Sequence, residues 1–162
     1  MRIAIISDTH MPRGDRRLSV ACVAQLRSAD LIVHAGDLTT PSVLRGLQAL
    51  GEVAAVHGNV DDASVRQMLP LSRTIVADGA QIGLLHDGGP AHGRLQRLHR
   101  RFAMADAVVF GHSHVPLHER SPDGFQIFNP GSPTERRRAA RHTMGIAEVS
   151  SGVITFELVE LD

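Results

Sequence analysis

The chain of 162 residues has no lysine, no tryptophan, no tyrosine and a single cysteine. Each absence closes a route to function. Without lysine there is no Schiff-base chemistry, and no P-loop, whose grip on phosphate needs that side chain. The lone Cys22 excludes an internal disulfide and a cysteine-cluster metal site. Set in "LSVACVAQL", it reads as a small core residue. Only five phenylalanines could stack a base, so nucleic acid is not supported as the main substrate. Long apolar runs are missing too. "MRIAIISDTH" offers four apolar residues in a row, too few for a signal peptide core or a membrane span. The 17 basic residues, all arginine, balance 17 acidic ones. A zero net charge gives no global pull toward membrane or nucleic acid. The expectation is a cytoplasmic protein with no membrane partner; a homo-oligomer stays open.

What is present is a core. Hydrophobic residues make up 43% of the chain, which suits one domain over residues 1–162. "RIAIIS", "DLIVHAGD" and "EVAAVHGN" read as buried strands. Between them lie helical stretches, "DRRLSVACVAQLRSA" and "PSVLRGLQAL", and "DDASVRQML" follows the third strand. Pro41 suits a helix first turn and Gly51 a helix stop. Such βαβ units predict a largely parallel sheet with right-handed crossovers. The pattern then changes. "SRTIVADG" and "QIGLLHDG" read as a hairpin, and "GRLQRLHRRFAMA" as a helix. "DAVVFGHSH" is a buried strand, and "GFQIFNPGS", "TMGIAEVS" and "GVITFELVEL" look antiparallel. This is an α/β chain with two sheets.

The polar residues gather where the apolar runs end. Asp8 and His10 follow the first, Asp37 the second and Asn59 the third; His86 follows "IGLL", and His112 and His114 follow "AVVFG". In open α/β sheets, sites form at the carboxyl ends of strands. Five strand ends thus bring seven oxygen and nitrogen donors to one edge. Seven are too many for one structural zinc, which takes four. They suit two catalytic metals about 3.5–4 Å apart that clamp a phosphate. In Asp-x-His and His-x-His, residues i and i+2 past a strand are expected to turn toward one pocket. Carboxylate, imidazole and amide together favour manganese, iron, zinc, nickel or cobalt over calcium.

These residues carry a resemblance. "SDTH", Gly36-Asp37, Gly58-Asn59, His86 and "GHSH" (Gly111 to His114) resemble, in order and spacing, the signature of the calcineurin-like metallophosphoesterases. "NPGS" (Asn129 to Ser132) resembles their small phosphodiesterase branch in bacteria and archaea. The resemblance implies a four-layer α/β/β/α sandwich of two mixed sheets flanked by helices. It implies two divalent ions, manganese foremost. Asp8, His10 and His114 would bind the first, Asn59, His86 and His112 the second, and Asp37 would bridge them. All seven would be metal ligands and catalytic residues, with a metal-bridging hydroxide attacking phosphorus. The implied partner is a small phosphodiester substrate.

Two departures from the family pattern carry information. Val60 stands where many relatives, phosphomonoesterases especially, have a proton-donating histidine. Losing such an acid costs about 10²–10⁴-fold when the leaving group is poor. That moves the expectation from monoesters to diesters. "HDGG" replaces the His-Gly-His common after the position of His86, leaving the shape of that loop open. The rival readings are a phosphomonoesterase or protein phosphatase on the same metals, a non-catalytic scaffold like the retromer subunit of this fold, and a one-metal amidohydrolase. His34 reads as core or as a support to the site, and His57 as structural. His92, His99, His118 and His142 read as solvent-facing or packed. Asp61 and Asp62 are expected to cap the next helix. The run Glu135 to Arg141 is expected to be a solvated loop, as are most of Arg94, Arg97, Arg100 and Arg101.

Overall fold

The structure, a computed structural model, describes residues 1–161. Its elements run β1 (Arg2–Ile6), α1 (Val20–Arg27), β2 (Leu31–His34), α2 (Pro41–Gln48), β3 (Val53–Ala55) and α3 (Ala63–Met68). They continue with β4 (Ser72–Ala77), β5 (Ala80–Leu85), α4 (Arg94–Arg101), β6 (Ala107–Val109), β7 (Leu117–Arg120), β8 (Gln126–Asn129), β9 (Thr143–Ser150) and β10 (Val153–Glu160). The strands form two five-stranded sheets, ordered β10-β9-β1-β2-β3 and β4-β5-β6-β8-β7. In the first, β1, β2 and β3 are parallel, and β9 and β10 add antiparallel. In the second, β5, β6 and β8 are parallel, with β4 and β7 antiparallel at the two edges.

The period-2 alternation of strand side chains builds the layers. Ile3 and Ile5 of β1 face the second sheet and join Ile82, Leu84, Val109 and Phe128 in the core between the sheets. Ala4 and Ile6 of the same strand face the other way, onto Cys22 and Leu26 of α1 and Leu44 and Leu47 of α2. Val108 and Ile127 turn outward from the second sheet onto Leu98 of α4. The order is helix, sheet, sheet, helix: the expected four-layer sandwich. Ser19 caps α1, its side chain accepting the Cys22 N–H at 3.2 Å, and Pro41 opens α2. No helix among the described residues is long and apolar enough to cross a membrane.

β7 has no counterpart among the expected strands. Its sequence, "LHER", is mostly polar and exposed, and an edge strand with one wet face shows no hydrophobic alternation. The expectation for Asp61 and Asp62 needs correcting. Asp62 stands at the N-cap of α3 without a side-chain capping bond. Asp61 is buried and turned inward, accepting the backbone N–H groups of Asp37 (3.0 Å), Thr39 (2.6 Å) and Gly58 (2.6 Å). It ties the loop after β2 to the loop after β3.

Candidate metal centre

Three parallel strands of each sheet end at one rim, and the loops leaving five of them carry the donors. Asp8 and His10 follow β1, Asp37 follows β2, Asn59 follows β3, His86 directly follows β5, and His112 and His114 follow β6. All seven come together. The His114 and His10 Nε2 atoms lie 3.5 and 3.9 Å from Asp8 Oδ1. Asp37 Oδ2 lies 3.5 Å from His10 Nε2 and 3.2 Å from His86 Nε2, between the two groups of donors. Asn59 Oδ1 is 3.1 Å from His86 Nε2 and 3.0 Å from His112 Nδ1. Asp8 with His10 and His114, and Asp8 with Asp37 and His86, each gather ligand atoms within 4.8 Å of one another.

The means of convergence differs from strand alternation. Asp8 (φ 56°), His10 (48°), Asp37 (61°), His112 (70°) and His114 (61°) all occupy the left-handed region. Non-glycine residues rarely adopt it, and each costs on the order of 1–2 kcal/mol unless neighbours enforce it. The neighbours do. The His112 N–H donates to both Asp8 carboxylate oxygens (3.2 and 3.0 Å). Ser132 Oγ donates to the Asp8 carbonyl (2.8 Å), and Thr134 Oγ1 to the Thr9 carbonyl (2.7 Å). Asn129 Nδ2 donates to the Gly111 carbonyl (2.9 Å). "NPGS" and the threonine beyond it therefore act as a brace under the first and last donor loops.

The motif glycines make room for donors from other motifs. A Cβ on Gly36 would stand 2.6 Å from His86 Nδ1, one on Gly58 2.8 Å from Asp37 Cγ, and one on Gly111 2.7 Å from Asp8 Oδ2. Each is far inside ordinary contact.

The charge of the site suits a cation. Asp8 is 0% exposed and Asp37 2%, and among the described residues no arginine pairs with either; only histidines do. Two buried carboxylates without a fixed counter-charge are costly. The histidines respond. Burial alone would lower His10, but the carboxylates of Asp37 and Asp8, 3.5 and 3.9 Å from its Nε2, outweigh it and push the ring up to about 9. His86 goes the same way, burial opposing and Asp37 and Asp8 prevailing. Burial works against ionised Asp37, yet the imidazoles of His10 and His86 beside it hold it well below the usual carboxylate range. His114 is pushed down by burial.

The tautomers also suit metal ligation. His86 Nδ1–H donates to the Ala35 carbonyl (2.8 Å) and His114 Nδ1–H to the Glu135 carbonyl (2.5 Å), which leaves both Nε2 lone pairs facing the carboxylates. The Nε2 atoms of His10 and His114 are buried without a hydrogen-bond partner. Orphaned nitrogens beside uncompensated carboxylates are what a divalent metal would satisfy, so the donor set fits one.

Some residues fall outside the expectations. Glu135, read as part of a solvated run, lies under the site: its Oε2 is 3.5 Å from His10 Nδ1 and its Oε1 pairs with Arg16 at 3.1 Å. Nothing in "ERRRAAR" marks that residue, because the loop is brought there by β8. Arg94 and Arg97 are likewise not free in solvent. Arg97 Nη2 donates to the Gly88 (2.8 Å) and Pro90 (2.7 Å) carbonyls and Arg94 Nη2 to that of Gly89 (2.8 Å), clamping the "HDGG" loop. The loop thus has a defined shape, with Asp87 Oδ1 accepting the Gly89 N–H at 2.7 Å. His34 is a support, as expected. Burial pushes it down to about 4; its Nδ1 accepts the Gly36 N–H (3.2 Å) and its Nε2 faces Thr9 Oγ1 (3.1 Å). His99 stacks on Phe125 and His118 packs edge-on against Phe128.

The sandwich with a rim of carboxylates, imidazoles and an amide defines a class, the metal-binding phosphoester hydrolases. Comparison with known proteins agrees. Residues 1–152 match the model of the calcineurin-like phosphoesterase superfamily domain. A probable metallophosphoesterase of Methanothermobacter thermautotrophicus is 36% identical over 140 residues, 85% of this chain and 80% of that protein. The chain belongs to the calcineurin-like phosphoesterase superfamily, whose members bind divalent metals. Two solved structures share the fold. Zinc-complexed Vps29 of Entamoeba histolytica has a TM-score of 0.78 at 20% identity, covering 99% of both chains. A novel archaeal phosphodiesterase has 0.71 at 19% identity, covering 98% of this chain and 100% of that one.

Proposed function

We propose that the protein is a phosphodiesterase that holds two divalent ions, manganese foremost, with iron, zinc, nickel and cobalt as alternatives. The observation that carries the reading is the position of Asp37. Its Oδ2 lies 3.5 Å from His10 Nε2 and 3.2 Å from His86 Nε2, so this carboxylate would be the one shared by two ions. Asp8, His10 and His114 form the donor set on the first side, and Asn59, His86 and His112 that on the second. Bound divalent metals would make water nucleophilic near neutral pH and neutralise charge on the phosphoryl oxygens.

The chain's own residues shape the rest. His86 and His114 are fixed with Nε2 toward the centre by their Nδ1 bonds. Val60 supplies only its backbone N–H, which donates to Asp37 Oδ1 at 3.0 Å and so orients that carboxylate. Its side chain cannot protonate a leaving group. A poor alkoxide leaving group is therefore disfavoured, and diesters with stable aryl or nucleotide leaving groups are favoured. A scaffold role has less support, because all seven donors are present and converge.

The test compares turnover of bis-p-nitrophenyl phosphate and p-nitrophenyl phosphate with Mn²⁺, alongside elemental analysis. The expected outcome is a clear preference for the diester with two metals per chain. Preference for the monoester would overturn the diester assignment, and fewer than two metals after loading would overturn the dinuclear centre.

A further inference from the structure

Next to the second group of donors the surface sinks into a cavity of about 320 Å³. Asn59, His86 and His112 line it on the side of the metal centre, and Arg66 and Leu71 contribute to the remaining wall. The volume is at the lower end of the range for small-ligand pockets. Neither Arg66 nor Leu71 has a role in the phosphoester chemistry above.

Arg66 is held in place. Its Nη2 donates to the Asn59 carbonyl (2.5 Å) and its Nε to the Asp61 carbonyl (2.9 Å). Both acceptors are neutral, and among the described residues no carboxylate pairs with this guanidinium, although Asp87 also borders the cavity. The remaining N–H groups of the fork and the full positive charge are left for a ligand. Leu71 is 63% exposed, a large apolar side chain in water at the rim of a polar site. The rim is tied down there, since the His57 N–H donates to the Pro70 carbonyl at 3.0 Å. A guanidinium and an exposed apolar side chain lining one cavity match a group with a flat ring, whose face packs on the leucine, and an oxygen-rich remainder, as in a nucleoside.

We propose that this cavity binds the ester substituent that stays on phosphorus, that it selects a nucleoside there, and that Arg66 and Leu71 determine the selection. Arg66 contacts the sugar or phosphate oxygens and Leu71 the base. The inference rests on the phosphodiesterase reading. In the reaction, water bonds to phosphorus through its oxygen and gives up a proton to solvent, the P–O bond breaks with its electron pair leaving on the departing alkoxide or phenolate, and a nucleoside monophosphate remains.

The test uses three diesters that share p-nitrophenolate as leaving group and differ in the retained group: thymidine 5′-yl, p-nitrophenyl and methyl. Wild type, with Mn²⁺, is expected to show kcat/KM for the thymidine ester at least about 10-fold above the methyl ester. Arg66→Ala and Leu71→Ala are each expected to lower that preference about 10-fold, mainly through KM, and Arg66→Lys to keep part of it. Metal content and circular dichroism of the variants should match wild type. Leu71, being exposed, gives a test free of any disturbance of Asn59. Equal turnover of the three diesters by wild type overturns the cavity assignment alone, as does a variant that slows all three alike. Failure of wild type to hydrolyse any of them overturns the phosphodiesterase reading as well.

Discussion

Gly58→Ala separates crowding of the site from backbone strain. Gly58 is outside the left-handed region, so alanine's backbone preferences are satisfied there. The added Cβ would stand 2.8 Å from both Asp37 Cγ and Asp37 N, and nearer still to Asp37 Oδ1, where ordinary contact begins at 3.4 Å. The Asp37 backbone is fixed by the carboxylate of Asp61, which also accepts the Gly58 N–H. The Asp37 side chain must yield, and the approach to Asp37 N forces one of the two loops to shift as well. The carboxylate oxygen has to retreat by roughly 1 Å, a misplacement that typically lowers turnover about 10²-fold, equivalent to about 2.7 kcal/mol of transition-state stabilisation. Overpacking is expected to cost about 1–3 kcal/mol of stability, leaving the sandwich folded. The assays are kcat/KM on bis-p-nitrophenyl phosphate, titration calorimetry with Mn²⁺ and urea unfolding of the metal-free protein. Wild-type activity and metal affinity in Gly58→Ala would refute the argument that this glycine exists to seat Asp37.

The remaining predictions concern protons and supports. His10 is raised to about 9, so at neutral pH the metal-free ring carries a proton that a metal must displace. Apparent metal affinity should rise about 10-fold per pH unit up to about 9, with proton release seen by calorimetry in buffers of different ionisation enthalpy; affinity flat with pH would contradict this. His34 is lowered to about 4 from the usual 6.5, so the unfolded chain takes up its proton first as pH falls. Stability is complete above about 6.5 and is lost toward pH 4, by up to about 3 kcal/mol, a slice that His34→Gln should abolish in urea titrations of the metal-free protein. Glu135→Gln should weaken metal binding about 10–100-fold without unfolding the chain, because the carboxylate at His10 Nδ1 raises the basicity of that ring. Unchanged calorimetric affinity would reduce Glu135 to a partner of Arg16.

The seven donors were readable because each follows an apolar run that is plainly a strand, and the ends of parallel strands meet whatever the loops do. Asp8, Asp37 and His112 needed only that topology. Glu135 and Asp61 were not readable in the same way. Both are acidic residues in polar stretches, and their burial depends on which loops meet across the two sheets, a long-range fact with no local period. Asp61 illustrates this well. It sits one residue before an N-cap position and passes for a capping residue, yet three backbone N–H groups from two loops draw it inward. Arg97 passes for a solvated helix residue for the same reason, since its acceptors lie in a loop that only the folded chain brings close.

The strain at the site bears on how a metal would be held. Five of the seven donors have positive φ, and their loops are fixed by Ser132, Thr134, Asn129, Asp61 and the His112 N–H. All of those bonds are made by the protein alone. The left-handed turns are therefore enforced before any metal arrives, and the cost of shaping the site is met by folding. What folding leaves unresolved is charge, with two buried carboxylates faced by imidazoles, of which His10 is pushed up to about 9 and His86 is raised in the same direction. Metal binding on this scaffold would then exchange the His10 proton for a cation in a geometry already set. Braces such as Ser132 are then expected to matter for stability as well as activity, whereas His10 matters for affinity and its dependence on pH.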